Sequence, residues 1–182
     1  MGESDILNLV REDREMMEIL RLVRDLHLPD CWVGAGFVRN KVWDHLQGVS
    51  TPRNDIDVIY FNPEDTSLES EDRYWQKLQD KRPELAWSVK NQARMHIYNN
   101  EAPYLNSTDS VSHWVESATC VAVTLKENAS LALMAPHGID DLVNMVVRPS
   151  PGFNRSLDIY RDRVRRKKWQ EIWPNLKIIE PE

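Results

Sequence analysis

Residues 32–62 read WVGAGFVRNKVWDHLQGVSTPRNDIDVIYFN, and this stretch decides the fold. A short apolar run, Cys31-Trp32-Val33, leads into Gly34-Ala35-Gly36. Phe37, Val38, Val42, Trp43 and Leu46 then recur at the steps of a helix with one buried face, and Gly48 fits a left-handed C-cap just beyond it. After a polar loop, residues 55–61 are rich in β-branched and aromatic side chains and read as a strand. The order is therefore strand, glycine turn, helix, loop, strand. Glycines at such a turn let the backbone approach a phosphate closely, and the helix start adds free N–H donors with a favourable dipole. Residues two apart on a strand point to the same side, so Asp55 and Asp57 project together while Ile56 faces the core. Two carboxylates aimed at one point repel each other unless a cation sits between them. Oxygen-only ligation of this kind suits Mg²⁺ or Mn²⁺ shared with substrate phosphates. Arg39, one turn into the helix, is placed to steady a phosphate or to pair with one of the aspartates.

Outward from this core, Met16, Ile19, Leu20, Val23 and Leu26 mark a helix in an N-terminal segment, residues 1–29, that Leu28-Pro29 ends. Downstream, Thr66-Ser67-Leu68-Glu69 matches a capping box that starts a polar helix to about Gln79, and residues 85–89 read as a strand. A short helix is expected over 107–116. Paired strands are expected over 119–125 and 130–134, around a Glu127-Asn128 turn. The last helices span 138–146 and 157–173, separated by Pro149-Ser150-Pro151-Gly152, and residues 155–176 form a basic C-terminal element. Helices and strands intermix without a linker, which predicts one α/β (α+β) domain over 1–182, a mixed sheet flanked by helices.

With 41% hydrophobic and 29% charged residues in 182, the composition is globular. No apolar run is long enough to cross a membrane and no secretory leader is evident, so a cytoplasmic protein is expected. Cys31 and Cys120 lack the spacing of a zinc site and read as small buried hydrophobes. The net charge of −6 argues against a general nucleic-acid binder. It is uneven, however: Arg161 to Lys168 (Arg-Asp-Arg-Val-Arg-Arg-Lys-Lys) carries a local +5. A solvated helix face accounts for it, and a phosphate or RNA contact is the alternative.

The motif Gly34-Ala35-Gly36-Phe37-Val38-Arg39-Asn40, followed by Asp55-Ile56-Asp57-Val58, resembles the core of the polymerase-β-type nucleotidyltransferase superfamily, in the form found in tRNA CCA-adding enzymes. Lys90-Asn91-Gln92-Ala93-Arg94-Met95-His96, residues 135–142 and the Trp169…Trp173-Pro174 ending are similar to a small bacterial nucleotidyltransferase family along nearly the whole chain. The resemblance implies an NTP substrate and transfer of a nucleoside monophosphate to a hydroxyl with release of pyrophosphate. It implies catalytic and metal-binding roles for Asp55 and Asp57, with Mg²⁺ or Mn²⁺ as cofactor. Gly34, Gly36 and Arg39 would bind the triphosphate, and Asn91 and Arg94 would line the opposite wall. A CCA-adding role is not expected, because the 120 residues after Asn62 leave little room for tRNA-binding helical domains; the acceptor is not readable.

The chain also departs from the superfamily pattern. A third carboxylate normally comes from the following strand, and residues 86–91 (Ala-Trp-Ser-Val-Lys-Asn) contain none, with Asn91 near its place. An amide can ligate a cation but cannot act as a base. The alternative to an enzyme is therefore a catalytically silent nucleotide-binding module on the same fold, unless Asp140, Asp141 or His96 folds back to complete the site.

Overall fold

The computed structural model describes residues 1–53 and 55–181. Two helices open the chain, α1 (Glu3–Glu12) and α2 (Arg14–Arg24), and each buries an apolar stripe: Ile6 and Val10, then Met16, Ile19, Leu20 and Val23. Asp13 separates them because its backbone is extended, and its side chain accepts from the Met16 N–H as the N-cap of α2. Then follow β1 (Trp32–Gly34), α3 (Gly36–Gln47) and β2 (Ile56–Tyr60). Gly48 closes α3 with φ 65°, as the sequence predicts. The next helix, α4 (Leu68–Lys81), is capped by Ser67 accepting from the Ser70 N–H, one residue later than the predicted box. After it come β3 (Trp87–Asn91), α5 (Met95–Asn99), α6 (Ser107–Ser112), β4 (Ala122–Leu125) and β5 (Leu131–Met134). The chain then forms α7 (Asp140–Val143), β6 (Val146–Val147), α8 (Leu157–Lys167), α9 (Trp169–Ile172) and β7 (Lys177–Ile178).

The main sheet runs β3-β2-β1-β4-β5, with β2 and β3 parallel and the other pairs antiparallel. Alternation along the strands divides its two faces. Val33, Ile56, Val58, Val89 and Val123 join the side chains of α1–α3 in the large core. On the other face, Ile59 and Ala122 meet Val111, Cys120 and Met134, with Trp114 packed against them. Asp57 lies between Ile56 and Val58 and so shares the second face with Ile59. This face, only partly covered by α6 and the loops around it, is where the site forms.

The chain closes on itself through tryptophans. Trp43 of α3 meets Trp169 and Trp173 edge-on, with ring centroids 5.9 and 5.1 Å apart, and Trp173 Nε1 donates to Asp44 at 2.9 Å. Both C-terminal indoles are buried, so they are core rather than base-stacking platforms. The predicted continuous helix over 157–173 is in fact broken at Lys168, whose φ of 49° turns α9 inward so that Trp169 can reach α3. Likewise 138–146 is only a single turn of helix before β6, because Met145 takes φ 56° and β6 pairs with β7.

Candidate active site

Asp55 and Asp57 line a cavity of about 180 Å³ together with Ala35, Gly36 and Phe37 at the start of α3. Five cations, Arg39, Lys41, Arg53, Arg163 and Lys167, complete its wall. Asp55 is exposed and Asp57 half-buried. The Asp57 carboxyl is pushed up to about 6, first by burial and then by the charge of Asp55, against the pull of Arg163, Arg39 and Lys167. Burial and a neighbouring carboxylate both disfavour the ionised form of Asp57. Hard oxygen donors of this kind fit a divalent cation.

Four of the five cations have partners within the fold. Arg53 reaches Asp13 and Glu15, and Lys41 Nζ donates to Asp13 at 2.8 Å, so the α1–α2 junction sets one side of the wall. Arg39 lies between two indoles, 5.1 Å from the Trp43 ring and 4.7 Å from the Trp169 ring. It donates to Thr119 Oγ1 at 2.9 Å and to Asn40 Oδ1 at 2.9 Å. Burial pushes its guanidinium down to about 10, still charged at neutral pH. Arg163 Nε sits 2.6 Å from Glu116 Oε1, and Lys167 stands one turn further along α8.

The glycine turn works differently from the sequence expectation. Gly34 lies in β1, where an added Cβ would come within 2.8 Å of the Trp114 ring, so its missing side chain serves packing. It does not line the cavity; Ala35 and Gly36 do. Ala35 carries the unusual backbone, φ 54° and ψ −123°, a region that glycine occupies readily and alanine does not. That turn starts α3 beside the aspartates, with Gly36 and Phe37 lining the same cavity.

Asn91 and Arg94 are not brought to the site. Asn91 is fully buried; its Oδ1 accepts from the Asn62 and Ala93 N–H groups, and its Nδ2 donates to the Asn62 and Asp65 carbonyls. That spends its hydrogen-bonding capacity on clamping the loop before α4. Arg94 is held by Glu71 through Nε at 2.7 Å and through Nη2. The parallel register instead sets Ser88 beside Asp57, whereas Asn91 faces Tyr60 at the far end of the strands. Asp141 binds Ser117 and Arg148, and neither it, Asp140 nor His96 lines the cavity.

Sequence reasoning missed Lys41 and Arg53, whose placement depends on α1–α2. It singled out 161–168 but not its useful members. Arg163 and Lys167, four apart on α8, share one face, and that spacing is a signal that finds them. Arg161, Arg165 and Lys168 are held outside in exposed pairs with Asp158, Asp162 and Glu171.

Residues 21–178 match the model of a family described as nucleotidyltransferase. A solved structure described as revealing a CCA-adding enzyme head domain is 37% identical, with 99% of this chain and 97% of that one aligned at a TM-score of 0.87. The Thermotoga maritima CCA-adding enzyme in complex with tRNA is 17% identical over 99% of this chain and 43% of its own, with a TM-score of 0.61. A CCA-adding enzyme bound to CTP gives 17% and a TM-score of 0.58, over 44% of its length. This chain thus spans less than half of those two enzymes, and the shared feature is the polymerase-β-type fold. Comparison with curated proteins finds no match. Among the described residues no helix is long and apolar enough to cross a membrane.

Proposed function

The chain belongs to this nucleotidyltransferase family, and on that premise we propose that it moves a nucleoside monophosphate from an NTP to a hydroxyl acceptor and releases pyrophosphate. One observation carries the reading: two like-charged carboxylates, Asp55 and Asp57, stand in the same cavity as five cations, four of them held by partners in the fold. That distribution complements a triphosphate carrying a divalent cation.

Asp55 and Asp57 would hold Mg²⁺ or Mn²⁺. Bound there, the ion would neutralise phosphoryl oxygens and the charge that grows on the leaving pyrophosphate. The chain's own groups do the rest. Lys41, Arg53, Arg163 and Lys167 bind the β- and γ-phosphates, while the free N–H groups at the start of α3 add donors to the same oxygens. Arg39 supports this wall from behind, its guanidinium held by Thr119, Asn40 and the two indoles. Because Arg39, Lys41, Arg53 and Arg163 are held by partners before substrate binds, little reorganisation accompanies charge migration in the transition state. Gly36 leaves the helix start open to the ligand.

A silent nucleotide-binding module is the second reading, and its motivation is Ser88, which stands beside Asp57 where an acid would complete the usual triad. Incubation with Mg²⁺ and α-labelled NTPs over a broad acceptor screen separates the two. Transfer of label with pyrophosphate release is the expected result. Tight NTP binding with no release under any acceptor leaves only the silent module.

A further inference from the structure

A second cavity of about 260 Å³ adjoins the cationic one, meeting it at Ala35, Asp57 and Arg163, which line both. Ser88 and Lys90 of β3, Ser110 of α6, Trp114 and Glu116 contribute to its walls. Glu116 stands out. It is wholly buried, and among the described residues neither of its carboxylate oxygens accepts a hydrogen bond. Arg163 Nε is close at 2.6 Å but too oblique to donate. A buried carboxylate with empty lone pairs is costly unless a ligand supplies the donors.

In-line displacement places the entering oxygen and the leaving pyrophosphate on opposite sides of the reacting phosphorus. With the pyrophosphate end among the cations of the first cavity, the entering hydroxyl comes from the second. Resting on the nucleotidyltransferase reading above, we propose that the second cavity is the acceptor site, and that Glu116 binds and deprotonates the attacking hydroxyl in place of the acid that β3 lacks. The acceptor class is a small, uncharged, polyhydroxylated molecule the size of a sugar ring. The walls offer hydroxyls and amides beside one indole; of the three cations, Lys90 is held by Glu71 at 3.1 Å, Arg155 by Asn99 at 2.6 Å, and Arg163 is shared with the first cavity. In the step, the hydroxyl proton passes to a Glu116 oxygen as the acceptor O–Pα bond forms. The bond from Pα to the bridging oxygen breaks, its electron pair leaves on pyrophosphate, and the proton goes to solvent when products depart.

The test uses the full chain, Glu116→Gln and Ser88→Leu, the last filling the cavity from β3 without altering Glu116. Three quantities are read: affinity for Mn²⁺ with α,β-methylene-ATP, pyrophosphate release from MgATP with ribose, glucose or glycerol, and the Trp114 indole N–H shift on ribose titration. Glu116→Gln, which also loosens Arg163, is expected to weaken binding of the ATP analogue by no more than about tenfold and to slow pyrophosphate release at saturating ATP at least 100-fold. Ser88→Leu is expected to lose both the ribose-induced shift and the release while still binding the analogue, and it decides the matter if Glu116→Gln does not fold. Unchanged release in either folded variant overturns the proposal. So does a wild-type protein that binds the analogue but shows neither a ribose-induced shift nor release with any of the three polyols. A wild-type protein that binds no ATP analogue overturns instead the nucleotidyltransferase reading beneath it.

Discussion

Glu71 and Glu116 are equally hidden from water, at 2% and 0% exposure, yet their surroundings are opposite. Glu71 is saturated: it accepts from the Asn91 N–H at 2.7 Å, from Arg94 through two nitrogens and from Lys90 at 3.1 Å. Burial alone would raise its carboxyl, but these donors outweigh it and hold it below the usual range. Glu116 accepts no hydrogen bond; Arg163 meets it obliquely and the charge of Arg39 lies nearby. A carboxylate that the fold has fully partnered is part of the scaffold. One left with open lone pairs beside a cavity is kept for something the chain does not itself contain. Asp57 belongs with Glu116: burial and the charge of Asp55 make its ionised form a burden on the fold, one that the proposed cation would relieve.

The largest expected effect tests that grouping. Asp57→Asn should lower nucleotide transfer by 10³-fold or more, on the order of 4 kcal/mol, measured by pyrophosphate release. The same change should raise thermal stability at pH 7.5. Because the folded carboxyl sits at about 6 rather than 3.8, its contribution to stability is complete below 3.8 and is lost as pH rises toward 6. Removing the charge recovers about 1–3 kcal/mol; a drop in melting temperature would dissolve the distinction between the two groups. Arg94→Ala, on the scaffold side, should cost about 3–5 kcal/mol in urea unfolding by stranding buried Glu71, with nucleotide affinity intact in the protein that stays folded. Glu71 has the opposite pH signature: its lowered carboxyl stabilises above about 4.5, its ordinary value, and that contribution disappears as pH falls through the folded value, so the Arg94→Ala penalty should shrink in acid.

Smaller effects sharpen the picture. Arg163→Ala removes one charged phosphate donor and should weaken NTP binding by roughly 10- to 100-fold in calorimetry, about 1.5–3 kcal/mol. The smallest concerns the backbone. Ala35→Gly relieves a conformation with φ 54° at the mouth of the site and should raise stability by about 1 kcal/mol, seen as a melting shift of a few degrees.

The sequence between 32 and 62 was readable because its signals are local: helix periodicity, a glycine turn, and two acids at strand spacing. The gaps all involve partners far along the chain. Asn91 was placed near Asp57 because both sit on neighbouring strands, but the parallel register, which only the tertiary pairing sets, puts Ser88 there. Arg94 reads as a free cation until Glu71, 23 residues earlier, folds over it. Gly34 looks like a phosphate turn, and only the position of Trp114 reveals that its job is to let an indole approach. The break at Lys168 has no glycine or proline to announce it, since docking Trp169 and Trp173 against Trp43 outweighs the cost of a left-handed lysine.

That docking also orders events during synthesis. Arg163, Lys167 and the indole that covers Arg39 come from residues 157–173, whereas the aspartates and the glycine turn are made more than 100 residues earlier. A growing chain has the residues of its main sheet and both carboxylates while it still lacks two of the five cations of its wall. On the proposed function, a product that ends before α8 keeps both carboxylates but lacks Arg163 and Lys167, and it should bind NTP more weakly than the full chain.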